Sequence, residues 1–302
     1  MSKKSACLGC LITMALLVSA TSSAQQRKAS SVDGSLAYSH VEKLVGFGPR
    51  PPGSPGIAKS QAYITDVLKK LGLQVEHQDF LANTPNGPVS MKNIVGKAQQ
   101  SGRPVVILAS HYDTRLMTNA AFIGANDGGS STGLLLELAR VLSPRRNAFT
   151  VWFVFFDGEE AQREWSETDS LYGSRYFVEK LKADGQTQTV KAMVLMDMVG
   201  DRDLKLENDA SSTPKLMEMV RKSATELGYG KHLAASQKGM VDDHIPFIRA
   251  GIPAVDLIDY DYGFNNSAWH TPNDTLDKIS PHSLKIVGDI VVRTVENLGQ
   301  RP

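Results

Sequence analysis

Residues 150–160 read TVWFVFFDGEE, and the fold turns on that stretch. Its first seven residues carry no charge and are β-branched or aromatic, as in a strand covered on both faces, and they give way at once to Asp157-Gly158-Glu159-Glu160. PVVILAS (104–110) has the same character and runs into His111-Tyr112-Asp113; KAMVLMDMV (191–199) carries Asp197 near its end; PAVDLI (253–258) precedes Trp269-His270. Amphipathic helical patterns lie between these runs, at 132–142, 172–182, 215–227 and 283–298. Upstream, a helical pattern over 36–45 stops at the punctuation GFGPRPPGSPG (46–56), a second over 57–71 is closed by Gly72, and LQVEHQDF (73–80) alternates as a strand does. Strands alternating with helices predict an α/β fold, with a central, mostly parallel mixed sheet flanked by helices and a site at the C-terminal ends of the strands.

The chain has 302 residues, 41% hydrophobic and 22% charged, a globular balance that excludes intrinsic disorder. A chain of that length buries about three quarters of the surface its unfolded form exposes, so no disulfide is needed to hold a core. Lys3-Lys4, an apolar run from Ala6 to Ala20 and small residues ending Ser22-Ser23-Ala24 follow the order of a secretory signal, which predicts a signal peptide over 1–24. The run falls short of the ~20 apolar residues of a spanning helix, so the mature chain is expected to be periplasmic or secreted, without a membrane anchor. Cys7 and Cys10, the only cysteines, leave with that segment, and thiol catalysis leaves with them. Without Lys3 and Lys4, 31 basic residues face 32 acidic ones, which supplies no field for a nucleic-acid or anionic-lipid partner. No repeat, low-complexity linker or charge block divides residues 30–302, which read as a single catalytic domain.

His, Asp and Glu, without lysine among them, gather just beyond the strand runs, which is the pattern of a divalent-cation site. Zinc accepts imidazole nitrogen and carboxylate oxygen, and a catalytic zinc keeps one position open. Glu159-Glu160 is the informative pair. Adjacent side chains on an extended segment point opposite ways, so one carboxylate can hold the ion while the other faces the reacting group as acid or base. Alone, the pair fits two solvated loop glutamates equally well; behind a buried strand and beside Asp157 it fits a site better. His111-x-Asp113 reads as a histidine whose neighbouring carboxylate fixes its tautomer, or as a polar surface turn. Asp127 sits in GANDGGSS (124–131), whose glycines permit tight backbone. Lacking both GxGxxG spacing and a GK[ST] ending, that segment is not a nucleotide loop.

In chain order, His111-x-Asp113, Asp127, Glu159-Glu160, Asp197 and His270 resemble the metal-site order of the zinc-dependent aminopeptidase superfamily, and the chain is more similar still to its glutaminyl cyclases of animal type. The likeness rests on RPPGSPG (50–56), FLANTPNGPVSMKNIVG (80–96), HYDTR (111–115), FFDGEEAQREWSETDSLYGSRYF (155–177), DDHIPFIRAGIPAV (242–255) and WHTPNDTLDKIS (269–280). Within these, AQREWSETDSLY (161–172) separates Glu-Glu from Gly-Ser; cyclases carry such an insert and typical aminopeptidases of the superfamily do not. The resemblance implies a zinc-exopeptidase-like fold and cyclisation of the N-terminal glutamine of peptides or proteins to pyroglutamate, with release of ammonia. It implies one zinc on Asp127, Glu160 and His270, with Glu159 as proton shuttle. Asp197 and Asp242 would form an acidic relay, Trp165 and Trp269 would wall the glutamine pocket, and His111 would be a non-ligand. It further implies a strained or cis peptide after Asp127, which glycine at 128 accommodates.

An alternative keeps the fold and changes the reaction: a dizinc aminopeptidase hydrolysing N-terminal residues from peptides, with His111 and Asp197 holding a second zinc. A non-catalytic binding domain is opposed by the intact ligand set. Two features depart from the animal cyclases. Ser110 and the absence of mature cysteines exclude their disulfide, and DYDYGFNNSA (259–268) is longer than theirs, so Phe264 fits a rim aromatic and a plain loop aromatic equally. His40, His77, His232 and His282 read as surface or satisfied core residues, and Asp242-Asp243-His244 as either a site or a helix start.

Overall fold

A computed structural model describes residues 31–98, 102–118, 121–145 and 147–300; the segment read as a signal peptide, with Cys7 and Cys10, lies outside them. In chain order the elements are α1 (Gly34–Val45), α2 (Pro55–Lys70), β1 (Gln74–Thr84), β2 (Gly87–Lys97), β3 (Val105–His111), α3 (Gly129–Leu142), β4 (Thr150–Phe156) and α4 (Tyr172–Ala183). They continue as β5 (Val190–Asp197), β6 (Leu206–Asp209), α5 (Pro214–Glu226), β7 (Leu233–Lys238), α6 (Ile245–Arg249), β8 (Ala254–Ile258) and α7 (Pro281–Gly299).

The period of two in β4 splits its side chains between two cores. Val151, Phe153 and Phe155 face one, with residues of α1, α2, α3, α5 and α7; Trp152, Val154 and Phe156 face the other, with Phe177, Val178 and Leu181 of α4 and Phe247 of α6. Fully burying a side chain of this size contributes about 1.5–3 kcal/mol, which is why a strand covered twice is written almost wholly in apolar residues. Every residue of β3, β4 and β8 is buried.

The six-stranded sheet has the order β1-β2-β4-β3-β5-β8. β4, β3, β5 and β8 are mutually parallel, whereas β1 and β2 form an antiparallel hairpin whose end, residues 94–97, joins β4. Two stretches go beyond the sequence expectation. β2 is a full strand although Gly87, Pro88 and Gly96 interrupt its pattern, because β1 pairs with it along its whole length. β6 and β7 form a separate parallel pair too short to leave a period.

After β3 the chain lays β4 on one side of it and then returns to lay β5 on the other. In open α/β sheets that reversal leaves a crevice beyond the strand ends. The residues at those ends are His111, the Asp157–Glu160 turn and Asp197. Among the described residues no helix is long and apolar enough to cross a membrane.

Candidate active site

His111 closes β3 and Asp197 closes β5; Glu159 and Glu160 follow β4, Asp127 lies just before α3, Asp242 before α6, and His270 in the loop after β8. All are buried except His270, which is half-buried. They form two triads that share Asp127. On one side His270 Nε2 lies 3.2 Å from Asp127 Oδ2 and 3.0 Å from Glu160 Oε1. On the other, His111 Nε2 lies 3.3 Å from Asp127 Oδ1 and 3.0 Å from Asp197 Oδ1. In each triad the ligand atoms fall within 4.8 Å of one another, close enough for one ion.

The orphaned atoms test whether a zinc fits. Asp127 Oδ2 and both oxygens of Glu160 are buried without a hydrogen-bond partner, and they converge with an imidazole nitrogen. Leaving such oxygens unpaired is costly, and a cation bound by imidazole and carboxylate would satisfy all of them at once. The donor set therefore fits zinc at Asp127, Glu160 and His270.

Buried carboxylates supply the donor backbone with its partners. Asp113 accepts from the amides of Glu159 and Glu160 at 3.1 and 3.2 Å. Its carboxylate also faces His111 Nδ1 at 3.5 Å, the neighbour the sequence spacing suggested, at a distance longer than a closed hydrogen bond, so its firmest hold is on the Glu-Glu backbone. Asp274 accepts from the amides of Asn126 and Asp127 at 2.7 and 3.1 Å and from the Tyr262 hydroxyl at 2.8 Å. Between these two clamps lies Arg50, fully buried, donating to the carbonyls of Tyr112, Ile123 and Gly124. Burial draws its pKa down to about 10 against the opposing fields of Asp274, Asp127 and Asp113. Sequence reasoning missed Arg50, Asp274 and Tyr262; RPPGSPG and WHTPNDTLDKIS contain the first two, but only tertiary contact gives them a role.

Backbone strain gathers here. His270 and Met198, next to Asp197, have φ of 52° and 48°, left-handed conformations that cost a side-chain-bearing residue about 1–2 kcal/mol. No cis peptide occurs among the described residues, so the bond after Asp127 is not cis; the turn is taken instead by Gly128 at φ 71°. A Cβ there would lie 2.5 Å from Asp113 O and 3.0 Å from His111 Cε1, so only glycine lets the chain enter α3 at this point.

With so many acids sharing one low-dielectric space, the site resists its own charge. Burial, then Asp242 and Glu160, holds the Glu159 carboxyl well above its usual range despite His111 nearby. Burial and Asp127 raise Glu160 to about 7, and burial and Asp197 raise Asp242 to about 7. Burial also raises Asp197, against the pull of His111. Asp127 goes the other way: burial pushes it up, but its contacts with His111 and His270 outweigh that and hold it low. Burial would lower His270, yet Asp127 and Glu160 bring it up to about 10. A divalent cation entering this site competes with the protons those shifts retain.

Above the acids opens a cavity of about 430 Å³, walled by Trp165, Trp269, Tyr260, Ile258, Met198, Met240 and Val241, with Glu159, Glu160, Asp127, Asp197, Asp242 and His270 below. Trp269 stacks on His270, with ring centroids 4.0 Å apart. Trp165 comes from the insert, which Asp169 folds by accepting from the amides of Gln162, Arg163 and Glu164 and from the Tyr172 hydroxyl. Phe264 is 86% exposed and outside the cavity lining, a plain loop aromatic; Tyr260 supplies the aromatic wall from that segment. Asp157 turns from the cavity to Lys92 N and the Tyr112 hydroxyl, and His244 is buried 3.2 Å from Asp209. His40 and His77 are bonded to Tyr63 and Thr65, and His232 to the carbonyl of Leu204.

Residues 93–295 match the model of Peptidase family M28. A glutaminyl-peptide cyclotransferase-like protein of Bos taurus is 31% identical over 281 residues, 83% of this chain and 72% of its own. The crystal structure of an Acidobacteriales bacterium glutaminyl cyclase superposes with a TM-score of 0.87 at 39% identity, covering 92% of this chain and 98% of that one. A leucine aminopeptidase precursor from Bacteroides thetaiotaomicron superposes with a TM-score of 0.82 at 26% identity, covering 89% and 98%.

Proposed function

The chain belongs to Peptidase family M28, and from that premise we propose that it is a glutaminyl-peptide cyclotransferase, converting an N-terminal glutamine to pyroglutamate with loss of ammonia. The observation that carries this reading is the insert 161–172, which brings Trp165 to the cavity wall opposite a His/Asp/Glu floor. Two tryptophans beside a carboxylate floor suit a side chain that must curl back on its own amine while water is kept out.

In this reading the free α-amine attacks the δ-carbon of its own side-chain amide. A C–N bond forms, the C–N bond to the amide nitrogen breaks, and ammonia leaves. Glu159 takes the proton from the attacking amine and gives it to the departing nitrogen; burial raises its pKa, which favours its holding that proton between the two transfers. Asp197 and Asp242, which line the same cavity as Glu159, would form the acidic relay of this reading. When bound at Asp127, Glu160 and His270, a zinc ion supplies a Lewis acid that polarises the side-chain carbonyl and stabilises charge on its oxygen. We take one zinc as sufficient, and export of the mature chain as the role of residues 1–24.

The second triad favours one other reading. His111 and Asp197 could hold a second ion with Asp127, as a dizinc aminopeptidase activating water requires. Incubation of the purified mature protein and zinc with a Gln-initiated and a Leu-initiated peptide separates the two. Cyclisation removes about 17 Da, the mass of ammonia, from the first and leaves the second intact, whereas hydrolysis releases free leucine.

A further inference from the structure

The floor and the mouth of the cavity carry opposite charge. Its acids are buried at the bottom, while the two basic side chains that line it, Arg115 and Lys238, are half-buried. Arg115 approaches His270 from the side away from the carboxylates, with Nη1 3.3 Å from Nδ1. Lys238, at the end of β7, lies over the Tyr260 ring at 4.2 Å, with Glu207 at 3.5 Å and Asp261 at 3.7 Å. Both separations exceed the ~2.8 Å of a closed charge-assisted hydrogen bond. Asp261 is also 77% exposed, so water screens its attraction. Lys238 is thus positioned by its neighbours without being saturated by them.

If the chain is a cyclase, on which this inference rests, the glutamine and its amine occupy the floor and the rest of the peptide leaves through the mouth. We infer that Lys238 and Arg115 receive a carboxylate carried just beyond the glutamine, so that peptides acidic in the second or third position are the preferred substrates. The bond changes are confined to the first residue, so the reaction itself does not require such a preference. It comes from the two cations that line the cavity around the glutamine, which attract an acid and repel a lysine.

The test compares four peptides with the zinc-loaded protein: the amides Gln-Glu-Ala, Gln-Ala-Ala and Gln-Lys-Ala, and Gln-Ala-Ala as the free acid, which offers a terminal carboxylate in place of a side chain. At about 20 mM salt, kcat/KM for the Glu amide should exceed that for the Lys amide by about tenfold, falling to about twofold at 0.5 M. Lys238→Gln should lower the low-salt ratio to about twofold, and Asp261→Asn, which removes a competing acid, should raise it. Preference for the free acid alone supports the same cations and assigns the carboxylate to the peptide terminus. Equal kcat/KM for all four, or preference for the Lys amide, overturns the inference and leaves cyclisation standing. Absence of ammonia from all four overturns the cyclase reading and this inference with it.

Discussion

The two triads that meet at Asp127 differ in what each leaves unpaired. On the His270 side, three buried carboxylate oxygens make no hydrogen bond, although His270 Nε2 lies within 3.2 Å of two of them, and the imidazole borders the cavity. On the His111 side, the imidazole is 1% exposed and its Nε2 is engaged by Asp197 at 3.0 Å and Asp127 at 3.3 Å. A catalytic metal site needs free lone pairs and a path for substrate. The first triad has both, whereas in the second the Asp197 carboxylate already accepts from the imidazole at 3.0 Å. The difference teaches that two ligand sets equally complete in sequence can differ in how many of their oxygens are left for a metal.

The sharpest break of that comparison is His270→Ala. It should abolish zinc retention through dialysis and lower ammonia release by about a thousandfold or more, since metal and Lewis acid go together. Retained zinc, by elemental analysis, would contradict the ligand assignment. Glu159→Gln should keep its zinc and lose about a hundredfold in kcat, because only proton transfer is removed; an unchanged kcat in the purified variant would sink the shuttle. On the other triad, His111→Gln should retain the same zinc content and lose about tenfold in turnover through the altered field around Asp197. Trp165→Ala should act on binding, raising KM severalfold with kcat nearly preserved, as expected of a wall.

The smallest effect lies outside the triads. Burial holds Asp259 up to about 8, where it accepts from the amide of Lys205 at 2.7 Å. Because its folded pKa lies above its unfolded one, the stability it contributes is complete below the ordinary carboxylate pKa and is lost as pH rises to about 8. Asp259→Asn should therefore raise Tm by about 2–4 °C at pH 9 and hardly at all at pH 4, as a thermal melt at each pH would read.

What the sequence made legible followed from burial. TVWFVFF and PVVILAS announce strands because both faces are covered, and the residues that interrupt them lie at the crevice for the same reason. β2 was hidden because its glycines and proline erase the alternation, and its strand form is imposed by β1. Arg50 and Asp274 were illegible as site residues because they act on backbone amides and carbonyls contributed by distant segments, which leave no residue type to read. Asp113 is legible only in part: spacing places it near His111, where it lies 3.5 Å from Nδ1, while the two amides that the turn after β4 presents to it leave no residue type to read. Trp165 was legible only through likeness to known cyclases, since no local pattern tells where an insert will fold.

Titration of the metal-free protein with zinc, following conversion of a Gln-initiated peptide, tests the asymmetry of the triads most directly. One ion at Asp127, Glu160 and His270 predicts that turnover reaches its plateau at one equivalent, in the wild type and in His111→Gln alike. Turnover that climbs until a second equivalent is bound, with the second step missing in His111→Gln, would contradict it and make the His111 triad a working metal site.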